Sequence, residues 1–417
     1  MAKIVDVSAR EILDSRGYPT VEAKVVLEDG SVGVSSVPAG ISTGKYEAKI
    51  VLDNDPRRFD GFGVLQAVTN IKALIAPALK GQDAKDQRKI DQIMIDLDKT
   101  ENKSWLGANA ILPVSQAVCK AAALSLNKPL YQYISSFLPK TRPLKIPTPQ
   151  MLMIEGGKHG AGNLDFQEFM IAPSSRKEFP SALQTGVEIY YSCKKILKHR
   201  NAIYSVGVEG GYAPNLFTNT EAFEIIVSAV NQTSYRLGSD VFLSLDVAAS
   251  HFKSNDHYVI RDQPTPLSSL EMIEYYKKLY LEYHLLSIED PLGEEDWKDW
   301  QKLTRELGEQ TIIVGDDLLV TNIKRLKKAV ELRACNAILV KPNQIGTVTE
   351  TIQTIQEAQK ANFKVIISHR GGETNDSFLA DLAVGVGADY VKFGAPARGE
   401  RVAKYNRLLE IYEEIKY

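Results

Sequence analysis

Cysteine is scarce in this chain of 417 residues: Cys119, Cys193 and Cys335 are odd in number and far apart. They fit neither a disulfide framework nor a zinc-ligand spacing, and isolated thiols suit a reducing compartment. The six histidines include no HExxH pair, which removes the commonest zinc-hydrolase signature. An excess of either charge is missing too, with 50 Lys+Arg against 52 Asp+Glu. General nucleic-acid binders usually carry a basic excess or stripe, so the balance argues against that class. No apolar run reaches membrane-spanning length. The opening MAKIVDVSAREILDSRG has no signal-type apolar core before its charges. The expectation is a soluble cytoplasmic protein with neither a nucleic acid nor a membrane as partner.

Apolar residues are plentiful, at 44%. A chain this long exceeds one typical domain, so two are expected. The stretch TVEAKVVLEDGSVGVSSV alternates apolar and polar residues around Asp29-Gly30, which predicts a β-hairpin. Helical patterns follow in GVLQAVTNIKALIAPAL, AKDQRKIDQIMIDLDKT and GANAILPVSQAVCKAAALSL. Pro139, Pro143, Pro147 and Pro149 then crowd one segment. Repeated prolines suit neither helix interiors nor central strands, so this segment reads as a boundary. The expected domains are 1–140, α+β, and 141–417.

Beyond the boundary the rhythm changes. VFLSLD ends at Asp246, HLLSIED carries Glu289, TIIVGDD carries Asp316, and NAILVK ends at Lys341. KVIISHR carries His369 and Arg370, and ADYVKFG carries Lys392. From Glu289 the steps to Asp316, Lys341, His369 and Lys392 are 27, 25, 28 and 23 residues. Helical patterns such as IKRLKKAVELR and VTETIQTIQEAQKA fill the intervals. Short apolar runs alternating with helices predict parallel βα units. In a (β/α) barrel the reactive groups sit at the C-terminal strand ends, where these ionisable residues fall.

Asp246, Glu289 and Asp316 would bring three carboxylates to one rim, where without a cation they would repel one another. An all-oxygen cluster favours a hard cation such as Mg²⁺ over zinc; the bland reading is a salt-bridge network with neighbouring lysines. Positive charge on such a rim would depress the Lys341 pKa and make it a plausible base. Lys392, Arg370 and His369 add to that field and suit a phosphate or carboxylate. VPAGISTGK (37–45) is a Gly- and hydroxyl-rich loop without the Walker A spacing. Glu209 precedes two glycines in VGVEGGYAPN, while IEGGKHGAG carries Lys158 and His159. Taken singly, each of these loops is as consistent with an ordinary surface connection.

Together these segments resemble the enolase family. The resemblance runs in order through REILDSRGYPTVE, AGISTGKYEA, MIDLDKTENKSWLGANAIL, HGAGNLDFQEFMI, VEGGYAPN, SLDVAAS, SIEDPL, VGDDLLVTN, KPNQIGT, ISHRGGET and FGAPARGERVAKYN, over essentially the whole chain. It implies an α/β protein: an α+β N-terminal domain followed by a (β/α)8 barrel that opens ββαα. It implies reversible dehydration of 2-phosphoglycerate to phosphoenolpyruvate, a glycolytic lyase reaction, with two Mg²⁺ ions. Asp246, Glu289 and Asp316 would hold the first ion and Ser42 would help hold the second. Lys341 would take the C2 proton. Glu209, supported by Glu168, would protonate the departing hydroxyl. His159, Gln167, His369, Arg370, Gly371 and Lys392 would surround the substrate. A homodimer or higher homo-oligomer is also implied, with Arg10 and Glu413 in the places of one crossing ion pair. Glu22 faces Glu410 in the other, with Arg407 one turn away.

Six positions depart from the family pattern. Gly371 and Gly399 each stand where a serine is usual, Glu155 replaces an asparagine, and Val208 an aspartate. His251 replaces a glutamate and Phe393 a small hydroxyl residue. All the expected metal ligands and both acid–base residues remain. Two other readings stay open: an enolase-like protein kept to bind a partner, its catalysis weak or lost, and a different metal-dependent lyase acting on a sugar acid. Mg²⁺-dependent turnover of 2-phosphoglycerate separates them.

Overall fold

The computed structural model describes residues 2–40, 44–139, 144–160 and 163–416. The predicted hairpin forms, and a preceding strand joins it. Strands β1 (Ile4–Leu13), β2 (Pro19–Leu27) and β3 (Val32–Ser36) make an antiparallel sheet in that order. Alternate residues Val21, Ala23, Val25 and Leu27 of β2 are buried, the period of two that one covered sheet face requires. The helix Ala108–Ser125 covers this face so closely that a Cβ on Gly33 would lie 1.9 Å from the Ala117 carbonyl oxygen. The other two helical patterns appear as Gln87–Asp98 and as consecutive segments from Leu65 to Leu79, the middle one a π-helical stretch, Ile71–Ile75.

The second part is a closed eight-stranded barrel. Its strands are β4 (Thr148–Glu155), β5 (Glu168–Pro173), β6 (Val241–Asp246), β10 (Ser287–Glu289), β11 (Ile312–Gly315), β12 (Ala337–Val340), β13 (Lys364–Ser368) and β14 (Tyr390–Lys392). Three short strands, β7 (Lys253–Ser254), β8 (His257–Tyr258) and β9 (Leu267–Ser268), form a small separate sheet. Two strands, then helices Phe179–His199 and Asn219–Asn231, precede β6, which is the ββαα opening. β5 runs antiparallel to both β4 and β6, and the other neighbours are parallel. Val314, Ala337, Leu339 and Ile366 pack as one cluster across β11, β12 and β13, small and branched residues of the kind that fill barrel interiors.

One boundary residue behaves differently from the sequence reading. Pro149 lies inside barrel strand β4, opposite Val391 of β14. Pairing with β5 begins only at Met151. A proline near the start of a strand removes one N–H where few ladder bonds exist, so the barrel tolerates it.

Polar contacts join the two parts. Asp376 accepts hydrogen bonds from the Ser35 hydroxyl (2.8 Å), the Ser36 amide (3.0 Å) and Lys120 (2.7 Å). Asp91 accepts from Ser115 Oγ (2.6 Å) and Gln87 Nε2 (3.1 Å), and also from the Thr349 amide (2.9 Å) at the start of helix Val348–Lys360. Burial pushes the Asp91 carboxyl from 3.8 up to about 6, against the lowering effect of those donors. The folded protein therefore holds this proton more tightly than the unfolded chain between about pH 4 and 6. Stability contributed here is full below the unfolded value and declines as pH rises through the folded one, by on the order of 3 kcal/mol. Asp91→Asn abolishes that slope. Measured as the difference in thermal midpoint between variant and wild type, the effect must change across pH 4 to 6; a constant difference would rule out the raised Asp91 value.

Candidate active site

The barrel register brings the acidic residues together. Glu289, the last residue of β10, pairs with Asp246, the last of β6, and Asp246 pairs across β5 with Glu168. Because β5 is antiparallel, its first residue reaches the rim where its neighbours end. Glu155, at the end of β4, pairs with Glu168 from the other side. Asp316 directly follows β11, Lys341 follows β12, and His369 and Arg370 follow β13. Every one of these side chains except that of Lys341 belongs to a fully buried residue.

The ammonium of Lys392 sits among the carboxylates, 2.8 Å from Asp246 Oδ2, 2.9 Å from both Glu289 oxygens and 3.2 Å from Glu168 Oε1. Burial opposes its charge, but Asp246, Glu168 and Glu289 outweigh that and raise its pKa well above the usual lysine value. Lys341 donates to Asp316 Oδ2, and Gln344 Nε2 donates to Asp316 Oδ1 at 2.9 Å. The sequence reading expected positive neighbours to depress Lys341. Burial, Arg370 and Lys392 do act in that direction, yet the adjoining Asp316 carboxylate prevails and the pKa is raised.

Burial, with Asp246 adding to it, raises the Glu289 pKa well above the carboxylate range. Buried carboxylates crowded onto adjacent strands thus demand positive charge, and the donors are oxygens alone. That chemistry fits a hard divalent cation such as Mg²⁺. Asp316 also lies with Asp290 and Asp317, one ligand oxygen from each within 4.8 Å of the others. The Asp290 oxygens are already engaged by the Asp316 amide (2.9 Å) and the Asp317 amide (2.8 Å). Ser42 lies outside the described residues.

A second group faces the carboxylates. His159 Nδ1 is 3.5 Å from Glu209 Oε1 and 3.8 Å from Glu168 Oε1. Burial and the Glu209 charge raise the Glu168 pKa well above normal. Burial would raise Glu209 as well, but whatever positive charge His369 and His159 take on, with the charge of Arg401, pulls that carboxyl down. Within this facing pair the Glu168 carboxyl is thus shifted up and the Glu209 carboxyl down. His369 is neutral, with burial lowering its pKa to about 3. Its tautomer is fixed: Arg401 Nη1 lies 2.6 Å from His369 Nδ1, and a guanidinium only donates. Nδ1 therefore accepts and the proton sits on Nε2, 3.2 Å from Glu209 Oε2. Gln167 Nε2 donates to Asp246 Oδ2 at 3.3 Å.

Three contacts were not read from the sequence. Glu47, from the N-terminal part, takes both Arg370 nitrogens at 2.9 and 3.1 Å and accepts from the Gly44 amide at 2.9 Å. Its only signal was its place after the glycine-rich loop. Arg401, inside helix Gly399–Lys416, binds the carbonyls of Arg370 and Gly371 (2.6 Å each) and of Val208 (3.2 Å). An arginine in a charged helix gives no signal that it turns inward. Glu155 is treated below. Among the departures, Phe393 is core, packed edge-on to Tyr405, and Gly399 has open space where a side chain would stand. His251 is partly buried and neutral, lowered by burial to about 4.

One tight cavity of about 20 Å³ is lined by His159, Gln167, Glu168, Glu209, Asp246, Lys341, Ser368, His369, Arg370, Gly371 and Lys392. That is room for about one water. Ion pairs between the chain's own groups fill the rest, so a guest must separate them.

The Enolase N-terminal domain family matches residues 4–134, and the Enolase C-terminal TIM barrel domain family matches residues 143–417. Together they span nearly all of the three-stranded sheet, its helices and the closed barrel. With both halves matched in order, and with the carboxylates and lysines gathered at the barrel's C-terminal rim, the chain belongs to the enolase family.

Proposed function

We propose that the chain catalyses the reversible dehydration of 2-phospho-D-glycerate to phosphoenolpyruvate, the glycolytic step, in the cytoplasm. The observation that carries this reading is that Lys341 and the Glu168–Glu209 pair line one cavity together with Asp246. An amine base and a carboxyl acid can then act on adjacent carbons of one small substrate. Asp246, Glu289 and Asp316 would hold one Mg²⁺, and Ser42 would help hold a second. Bound there, the ions supply the concentrated positive charge that a substrate carboxylate needs when its α-proton leaves.

The chain's own groups perform the proton transfers. Lys341, released from Asp316 and still near Arg370 and Lys392, accepts the C2 proton as a neutral amine. Glu209 carries a proton to the C3 hydroxyl, which departs as water. Glu168, whose carboxyl burial and the Glu209 charge shift up, would supply the proton that Glu209 passes on. His159 and His369 would flank the Glu209 carboxyl, at 3.5 and 3.2 Å. Arg370 and Lys392 attract the anionic ends of the substrate. No specific observation favours a sugar-acid substrate or a purely binding role.

Lys341→Ala is expected to lower turnover of 2-phosphoglycerate with Mg²⁺ by about 10²- to 10⁴-fold. Its circular dichroism should remain that of the wild type. Glu209→Gln is expected to block elimination yet leave exchange of the C2 proton with deuterated solvent. Equal loss of both reactions would show that the two residues do not serve separate steps.

Gly371→Ser restores a hydroxyl beside the substrate site. A hydrogen bond to a charged group contributes about 1.5–3 kcal/mol, so KM should fall by roughly 10- to 150-fold. An unchanged KM, or a poorer enzyme, would show that the loop is rebuilt around the glycine carbonyl held by Arg401.

We also propose a homodimer. Within one subunit Arg10 already pairs with Glu22 at 2.7 Å, and Arg407 with Glu410 at 3.0 Å. The Arg407 contact neutralises the carboxylate that would otherwise face Glu22 across the interface. Sedimentation velocity at low micromolar concentration should return a dimer mass; a monomer there would discard this assembly.

A further inference from the structure

The backbone of residues 207–211, which carries Glu209, is held from several sides. Val208 O accepts from Arg401 (3.2 Å), Glu209 O from the Ala395 amide (3.0 Å), and Gly210 O from the Tyr190 hydroxyl (2.7 Å). Gly207 N donates to Gly211 O (2.8 Å), and Gly210 N donates to Gly207 O (3.3 Å). The amides of Glu209 and Gly211 both donate to a single atom, Glu155 Oε1, at 3.0 and 2.7 Å.

The loop closes around this carboxyl. A Cβ on Gly207 would stand 2.2 Å from Glu155 Oε2, and one on Gly211 would stand 2.9 Å from Glu155 Cγ. Gly210 turns the chain at φ +88°. Glu155 is 1% exposed, and its Oε2 has no hydrogen-bond partner among the described residues. One oxygen therefore anchors the loop while the other contributes none of its binding.

We infer that Glu155 is the positioning residue for the Glu209 loop: its Oε1 fixes the height and direction from which the Glu209 carboxyl enters the cavity. Glu155 touches no reacting atom. It acts through the two amides, and burial together with the Glu209 charge raises its own pKa to about 8, so a neutral side chain suits the position. Without Oε1 the two amides would each lose a buried partner. The inference rests on the function proposed above, in which Glu209 delivers the proton for elimination while Lys341 serves the C2 step.

The test uses the full chain with Mg²⁺ and 2-phosphoglycerate in deuterated water, following C2 exchange and elimination together. Glu155→Ala is expected to slow elimination by about 10- to 100-fold, the scale of a misplaced acid. C2 exchange and KM should stay within about threefold. Glu155→Gln keeps the accepting oxygen and should restore elimination to within about threefold of wild type. Amide hydrogen exchange on the same proteins should show Glu209 and Gly211 losing protection in Glu155→Ala and keeping it in Glu155→Gln. Equal loss of exchange and elimination, or no loss of either, overturns the inference. So does a Glu155→Gln variant as impaired as Glu155→Ala; where the alanine variant does not fold, Glu155→Gln below a third of wild-type elimination overturns it. If wild-type protein leaves 2-phosphoglycerate untouched, the function reading and the catalytic half of this inference both fail. The amide measurement then still decides the anchor, and unchanged protection in Glu155→Ala would remove it.

Discussion

The ammonium of Lys392 is the counter-charge around which the barrel rim is arranged. It touches Asp246, Glu289 and Glu168, which come from three consecutive strands of the closed sheet. It offsets the mutual repulsion of these buried carboxylates. Removing one partner of such a buried set typically costs about 3–5 kcal/mol, because the others are left uncompensated. The strand register is therefore an electrostatic matter as much as a packing one. A slip of one residue in β5 or β10 would turn an acid into the wall and an apolar side chain into the rim. The same crowding would suit a hard cation, whose charge could stand in for the ammonium among these oxygens.

A second layer holds the first. Arg401 sets the His369 tautomer and fastens both rim loops through their carbonyls. Glu47 grips Arg370 from the N-terminal part, and Thr321 Oγ1 accepts from the Lys341 amide at 2.9 Å. None of these residues needs to meet a substrate. Their effect is to remove freedom from the groups that do, so that geometry is set before any guest arrives.

Much of this was legible in the sequence, for definite reasons. The spacing of Glu289, Asp316, Lys341, His369 and Lys392 followed the βα period, and ionisable residues at the ends of apolar runs, Asp246 among them, stand out. The hairpin around Asp29-Gly30 and the helix 348–360 carried strong local patterns. Glu168 could not be found by rhythm, because β5 runs against its neighbours and presents its first residue to the rim rather than its last. Only the family resemblance named it. Pro149 misled, since a proline at a strand's beginning looks like a proline between domains. Arg401 and Glu47 were hidden because a charged residue in a polar helix or loop reads as solvated until the fold turns it inward. The raised Lys341 pKa depended on one contact with Asp316, which spacing alone cannot reveal.

The helix Gly399–Lys416 gives the molecule an order of completion. Besides Arg401, it sends Lys404 to Glu373 at 2.8 Å and to the Thr374 carbonyl at 3.1 Å, both beyond the last acid of the rim. Ser15, near the other end of the chain, meets the same segment through the Glu373 carbonyl at 2.8 Å. During synthesis, every barrel strand is made before this helix leaves the ribosome. A nascent chain can thus carry every acidic and basic residue of the rim while the loop bearing His369 still lacks its fastening. The contacts that fasten the His369 loop to this helix therefore form only after residues 401 and 404 have joined the fold.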